Sequence, residues 1–545
     1  MQLPDINLDT IPDPATRQLV GQLLNLIEAQ VAENTALRAE VQQLRDENAR
    51  LKGGSGKPDI KPPVPPAALD HSSEAERRTR TPRGKPKKNV TLTVTREQRC
   101  VVDSESLPPD AIRHGTTEVI VQDVVFQPEV IRFVREVWLV PGSGQTITAP
   151  LPAGYHGEFG PHLRALVWTL GHGANVSQPA LLAFLEDVGI AIGAGTIARW
   201  LSDHTGQWHD EAVAIHAAGL ASGPWQGTDQ TATRVDGHNE ACHVVGNRWF
   251  TSYHTRPGGT RQDVLAVLWG QEPVFLLNAD ALAWMADTTL RPAFQMRLVQ
   301  GLPWEQTLTA TELSDHLETA GIRLNTQQHQ QVWDALAIAA YHAQTGMPIV
   351  RWLLSDDANV YHGITDAHAL CWVHDGRHYA KLSPVISVHQ VLLADFRRDY
   401  WAFYRELLAY RTAPSPTERT RLQTAFDTLV AQRTGYDDLD ARIAKTAHNR
   451  ELLLAVLDLP DLPLHNNAME LAARRRVRKR DVSFGPQSRA GAQAWDTFQT
   501  LAATAAKLGV RLYHYLRDRC MHPATTPSLA DHIQERSRAA ASASA

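Results

Sequence analysis

The chain is short of cysteine, of long apolar runs and of net positive charge, and each shortage removes a class of protein. Only four cysteines, Cys100, Cys242, Cys371 and Cys520, occur in 545 residues, and no two stand in a C-x-x-C pair. A disulfide framework and a four-cysteine zinc site are therefore not expected, and a reducing, cytoplasmic setting fits. No run of about 18 or more apolar residues appears, so a membrane-spanning helix is not expected. The opening MQLPDINLDTIPD lacks a basic stretch followed by an apolar one and does not read as a signal peptide. Net charge is -5, which rules out a uniformly basic surface; affinity for nucleic acid would have to come from local clusters of Lys and Arg.

What is present is length and pattern. At 545 residues, 43% hydrophobic and 21% charged, the chain exceeds one hydrophobic core and reads as a multidomain α+β protein. Residues 1–52 hold a heptad with Val20, Ile27, Asn34, Val41 and Asn48 at a, and Leu23, Gln30, Leu37, Leu44 and Leu51 at d. β-Branched a residues, leucine at d and an Asn at a predict a parallel two-stranded coiled coil, hence a homodimer. The competing reading is one amphipathic helix packed on its own chain. Residues 53–88 are rich in Pro, Gly and charge and read as a linker, in which Arg77, Arg78, Arg80, Arg83, Lys85, Lys87 and Lys88 crowd together without an acid. Such a cluster suits a phosphate backbone.

Residues 89–150 alternate β-branched and polar positions, as in TLTVT, EVIVQDVVF and EVIRFVREVWLV, and predict a small antiparallel sheet. Residues 151–222 predict helices: Ser177 caps SQPALLAFLEDVG with Pro179 in its first turn, and the turn GIAIGAG leads into TIARWLSDHTGQW. Helix, glycine turn, helix is the outline of a DNA-binding helix-turn-helix, with Arg199 on its second helix. From Trp225 a three-stranded meander is expected, with DGHNE and GN turns. Helical insertions are expected at about 278–348 and 387–459, and residues 506–545 read as a C-terminal helix and a disordered, low-complexity tail.

Three carboxylates stand in suggestive places: Asp229 in a strand, Asp356 directly after the apolar run IVRWLLS, and Glu470 in a helix. Converging, they would hold two Mg²⁺ or Mn²⁺ ions, one activating an attacking oxygen and the other steadying the leaving oxygen of a phosphodiester. Directly after Glu470, six of the seven residues from Arg474 to Arg480 are basic: Arg474, Arg475, Arg476, Arg478, Lys479 and Arg480. These read as groups that grip DNA beside the metal. The alternative is that Asp229 and Asp356 end elements and Glu470 pairs with Arg474 at i,i+4 spacing.

The order TDQTATRV, then LLSDDANVYHG with CWVHDGRHYAKL, then LPLHNNAMELAARRRVRKRDVSFGPQSRAGAQAW resembles the DDE transposases of the insertion-sequence-66 family. The zipper, basic linker and helical region share that family's layout, and the likeness is strongest from Trp225 to Ala505. The resemblance implies an RNase H-like catalytic domain over 223–505 that cuts and joins transposon ends, with Asp229, Asp356 and Glu470 as catalytic acids and metal ligands. It also implies double-stranded DNA as partner, accessory transposition proteins, and accessory positions at His374, Arg377, His465, Asn466 and Asn467.

Three departures from the family pattern bear on this. The usual cysteine-pair zinc module has only Cys100 in its counterpart, so a metal-free β module is expected at 89–150. The spacing between the first two acids is long, leaving Asp280 in FLLNADALAW as a rival; Asp356 is preferred because Cys-Trp-x-His follows it. The usual acid before the Asn-Asn pair is His465. Zinc on His368, Cys371 and His374 is not expected, since only three ligands are local. Two other functions stay open, a DNA-binding protein without catalysis and an endonuclease of the same fold that does not transpose.

Overall fold

A computed structural model of the chain describes residues 8–51, 93–103, 107–108, 110–112, 115–155, 157–202 and 206–544. The basic residues Arg77, Arg78, Arg80, Lys87 and Lys88, and the linker that carries them, lie outside the described residues. The described chain is mixed α+β, and none of its helices is long and apolar enough to cross a membrane.

The first helix, α1 (Pro14–Leu51), spans the expected heptads but docks on its own chain by a different face. Leu24 and Glu28 are buried, whereas the d residues Leu23, Leu37 and Leu44 are 49%, 51% and 58% exposed. The Glu28 carboxylate explains the docking: it accepts the backbone N–H groups of Val385 and Ile386 at 2.9 Å and lies 3.3 Å from His389 Nδ1. Asn25 adds an amide donated to the Gly435 carbonyl. Own-chain packing and an exposed heptad stripe thus coexist on one helix.

The small sheet expected at 89–150 shrinks to one hairpin, β1 (Val137–Val140) antiparallel to β2 (Gln145–Thr148). The other described residues before it have no regular structure apart from turns. Alternation makes a sheet only where one face has something to cover it. Here Val121 and Val130 remain 78% and 96% exposed, and the segment is anchored by Phe126 edge-on to Phe184 and Phe133 edge-on to Tyr155.

The helical pair beyond is as expected: α2 (Gln178–Asp187), capped by the Ser177 hydroxyl, and α3 (Ala194–Ser202), on which Arg199 is exposed. Leu181, Leu185, Ile197 and Leu201 share one core between them. A five-stranded sheet comes next. Its meander comprises β3 (Trp225–Val235), β4 (His238–Gly246) and β5 (Thr251–Arg256), with Asp236 and Gly237 both at positive φ in the tight turn that alternating strands with an Asp-Gly pair predict. A two-residue ladder, β6 (Phe275–Leu276) with β7 (Thr307–Leu308), lies apart among the helices of the first insertion. The sheet then resumes with β8 (Trp352–Ser355), parallel to β3, and β9 (Ala367–Leu370), parallel to β8. Its strand order is β5-β4-β3-β8-β9.

Three helices belong with this sheet: α4 (Trp372–Lys381), which starts just beyond β9, α5 (Asn467–Ser483) and α6 (Arg489–Lys507). The second insertion, helices Ser387–Thr412, Pro416–Val430 and Asp437–His448, builds its own core around Trp372 of α4. Helix α6 covers β5: Thr500 and Thr504 hydroxyls accept from the backbone of Tyr253 and Thr251, and Asp496 accepts from Thr255. These contacts satisfy the edge of β5 without another strand.

Between α5 and α6 lies a buried cation. The Arg476 side chain is 1% exposed, pairs with Asp496, and stacks its guanidinium 5.6 Å from the rings of both Tyr253 and Trp495. Removing one member of a buried pair strands the other charge, which costs about 3–5 kcal/mol. Arg476→Ala should therefore lower the unfolding free energy measured in urea by an amount of that order, and Arg478→Ala, on the exposed side of the same helix, should change it by no more than about 0.5 kcal/mol.

Candidate functional site

The parallel pairing of β3 with β8 places the first two acids. Gly227 is in register with Leu354, the last paired position; Asp229 lies two residues further along β3, and Asp356 two residues beyond Leu354, just past the end of β8. Neighbouring strands lie about 4.8 Å apart, which brings the two carboxylates onto adjacent positions of one sheet end. Asp280, the rival, is exposed in the first turn of helix Ala279–Ala286, capped by Asn278 and away from the central sheet. Of the pair Asp356-Asp357, the second acid turns outward: it lies 3.1 Å from His362 Nε2, 3.2 Å from Lys445 Nζ and 3.2 Å from Asn449 Nδ2.

The third acid arrives on α5. Asn466, just before the helix, donates its side-chain amide to the Thr228 carbonyl at 2.6 Å and its backbone N–H to Cys371 Sγ at 3.2 Å. That one residue joins β3, the start of α4 and the start of α5. Met469 packs on the strands, and Glu470 comes next in the first helical turn.

Electrostatics tie the three acids into one site. Burial, with the charges of Asp356 and Glu470, pushes the Asp229 carboxyl up to about 7 against the opposing Gln230 N–H and Arg377. Glu470 is held from α4: Arg377 Nη2 donates to its Oε2 at 3.1 Å, and His374 Nδ1 stands 3.5 Å from Oε1. Burial lowers the His374 pKa, partly offset by Glu470. Oε1 is buried and has no hydrogen-bond partner, as is His374 Nδ1. Tyr361, to which no sequence pattern pointed, lies buried nearby; burial, then Asp229 and Asp356, push its hydroxyl up.

The basic run departs furthest from what its sequence suggests. Expected as six DNA-gripping residues, it divides by helical face. Arg476 and Lys479 point into the fold, Lys479 donating to the Gly171 carbonyl at 2.6 Å and lying 4.7 Å over the Trp495 ring. Arg475 donates to the Gly173 carbonyl at 2.8 Å, and Arg480 to the Ala232 carbonyl. Six cations in seven positions must go round the whole helix, and those in line with Met469, Ala472 and Ala473 meet the protein instead of solvent. Arg474 and Arg478 remain exposed, although Arg474 Nη2 lies 3.9 Å from Glu470 Oε2, the i,i+4 pair that the spacing also allowed. At the end of α5, Phe484 is 85% exposed and adopts φ of 57°, unusual for a bulky side chain. Of the accessory positions, His465 and Asn467 are half-buried beside the start of α5.

The His368, Cys371, His374 grouping separates. His368 Nε2 is bonded to Ser355 Oγ at 2.7 Å, while Cys371, His374 and Glu470 bring ligand atoms within 4.8 Å of one another.

No family model matches the chain, and no solved structure matches it. A curated protein does: uncharacterized protein y4jO of Sinorhizobium fredii (strain NBRC 101917 / NGR234) is 32% identical over 303 residues, 55% of this chain and 93% of that protein. At that identity and with that share of y4jO covered, the chain belongs to the same family as y4jO.

Proposed function

We propose that the chain is a DDE transposase, cutting transposon-end DNA and joining it to a target at Asp229, Asp356 and Glu470. The observation that carries this is that the Asp229 carboxyl in β3 feels the charges of Asp356, just past the end of the parallel β8, and of Glu470, on a helix far away in sequence. A three-stranded meander extended by two parallel strands also supports an RNase H-like catalytic domain.

The donor set suits a hard divalent cation. It offers carboxylate oxygens, one of them buried without a hydrogen-bond partner, and a carboxyl whose pKa burial and the two neighbouring acids raise. Mg²⁺ or Mn²⁺ held by Asp229, Asp356 and Glu470 would activate the attacking oxygen and steady the leaving oxygen of the phosphodiester. The protein's own groups do the rest. Arg377 fixes the Glu470 carboxylate while no metal opposes it, and Arg474 and Arg478, exposed along α5, neutralise the DNA backbone near the acids. Arg199 on α3 and the linker cations add phosphate contacts. The exposed heptad face of α1 pairs two copies, accessory transposition proteins complete the assembly, and the work is done in the cytoplasm.

The deciding experiment is strand transfer on DNA bearing the terminal repeats that flank the gene, with Mg²⁺, and with binding recorded in the same samples. Wild type should join ends; Glu470→Gln should bind equally well and lose at least about 10²-fold in joining. Equal binding with no cutting by either protein, even with Mn²⁺ and accessory proteins, would leave a DNA-binding protein. Cutting without joining would leave an endonuclease.

The same site predicts a pH effect on stability. A carboxyl whose folded pKa is raised from 3.8 to about 7 favours folding at low pH, and this contribution is lost as pH rises from about 4 towards 7. Without metal, Asp229→Asn should therefore melt higher than wild type at pH 8 and no higher at pH 4. Mn²⁺ should raise the wild-type melting temperature at pH 8 and leave Asp229→Asn unmoved. A lower melting temperature for Asp229→Asn at pH 8 would show that the carboxylate is satisfied by the fold alone.

A further inference from the structure

Cys371 is an odd residue to find against a carboxylate. Its thiol is 1% exposed and sits at the N-cap of α4, where the helix presents its positive end. Burial, and with it the Glu470 charge, pushes the thiol up to about 11, while backbone N–H groups of Asn466, His374 and Val373 act the other way. Amides directed at sulfur are the outer-shell contacts that steady metal-bound thiolates. Beside it, His374 Nδ1 and Glu470 Oε1 face each other at 3.5 Å, both buried and both without a hydrogen bond.

We propose that Cys371, His374 and Glu470 form a binding site for a borderline or soft divalent cation, Zn²⁺ above all. Their donor atoms lie within 4.8 Å of one another. Tetrahedral zinc bonds of about 2.0–2.3 Å place donors roughly 3.3–3.8 Å apart, so a shift of about 1 Å closes the set. Thiolate and imidazole select against Mg²⁺, which takes oxygen ligands. A fourth position is left to water or substrate. As the ion binds, the thiol proton leaves to solvent and the sulfur–metal bond replaces it. The imidazole proton moves from Nδ1 to Nε2, and Nδ1 donates its lone pair.

Arg377 opposes that change. It donates to His374 Nε2 at 3.2 Å and to Glu470 Oε2 at 3.1 Å, an arrangement that suits only an Nε2 without a proton. The guanidinium therefore keeps the metal-free state and must move when the ion enters. Because the site takes Glu470, zinc would draw it from Asp229 and Asp356 and inhibit strand transfer; that consequence alone rests on the proposed function, whereas the binding does not.

The test uses full-length protein and Co²⁺, a visible substitute for zinc. One equivalent should give a near-ultraviolet thiolate-to-cobalt band that Zn²⁺ abolishes and excess Mg²⁺ does not. Cys371→Ser should lose the band, Asp229→Asn should keep it, and Arg377→Ala should bind Co²⁺ several-fold more tightly. His374→Ala, which retains the thiol, should weaken binding at least tenfold and serves if Cys371→Ser fails to fold. Absence of the band in wild type, or its survival in Cys371→Ser through Cys100, Cys242 or Cys520, would overturn the proposal. No DNA chemistry enters this readout, so its result stands apart from the strand-transfer result.

Discussion

The acid centre depends on α5 lying directly on the sheet, and that depends on two glycines. A Cβ on Gly227 would stand 3.0 Å from both Asn466 Oδ1 and Met469 Cγ. One on Gly246 would stand 2.4 Å from the Phe250 carbonyl and 3.2 Å from the end of Met469. Side chains at these places would lift the helix, and with it Glu470, away from Asp229. Close approach of a helix backbone to a strand is a use of glycine that needs no unusual φ. Once the helix is seated, Asn466 bonds to the Thr228 carbonyl, Arg476 pairs with Asp496, and Lys479 reaches the Gly171 carbonyl. Each contact fixes a further turn of α5.

Much of this was legible, and most of the parts that were not share a cause; the tail expected to be disordered is instead helical over Leu529–Ser544, seated by the buried Leu529 and Ile533. The meander, the Asp-Gly turn, the Ser177 cap and the placing of helices at both insertions came from local patterns that tertiary structure left intact. The place of Asp356 at the end of β8 was foreshadowed by the apolar run IVRWLLS, although the parallel register with β3 was not. What failed needed knowledge of facing. Met469, Ala472 and Ala473 mark an inward stripe that, continued one turn, reaches Arg476, yet a run of cations reads as solvated because charge outweighs spacing in any sequence pattern. In α1 the leucines look inward by the heptad, but the buried positions are Leu24 and Glu28, chosen by a carboxylate that finds two backbone N–H groups on the second insertion. The runs before β1 show the converse: alternation without a covering element gives no sheet.

Gathering carboxylates in a protein costs stability, and the fold meets that cost with cations of its own. Asp229 answers by keeping its proton to about neutral pH, and Glu470 by pairing with Arg377. Arg377 is effective only because α4 is rigid. Asp375, buried in the first turn of that helix, pairs with Arg442 and accepts from Tyr400 and Thr446 at 3.0 Å each. The second insertion thus reaches the acid centre without contributing an acid: it holds the helix that holds the arginine that holds the glutamate. Such a chain of single contacts makes residues of Asp437–His448 matter to a carboxylate they never touch.

The same framework extends to α1. Glu28 is bonded at Val385 and Ile386, immediately before helix Ser387–Thr412, and His389 in that helix stacks on Tyr436 at 4.4 Å, next to the helix that carries Arg442. Arg442 in turn reaches Asp375, on the same helix as Arg377. These are packed and hydrogen-bonded contacts in series, so the direction of α1 is set relative to the acid centre instead of being free about a hinge. The leucines left exposed on its other face therefore point along a fixed line. Two copies joined through that stripe would hold their acid centres at one separation and one relative orientation, which a flexible tether would not do. Geometry of that kind is what the proposed reaction on two DNA ends would demand, since each end would have to meet its own set of carboxylates while both meet one target.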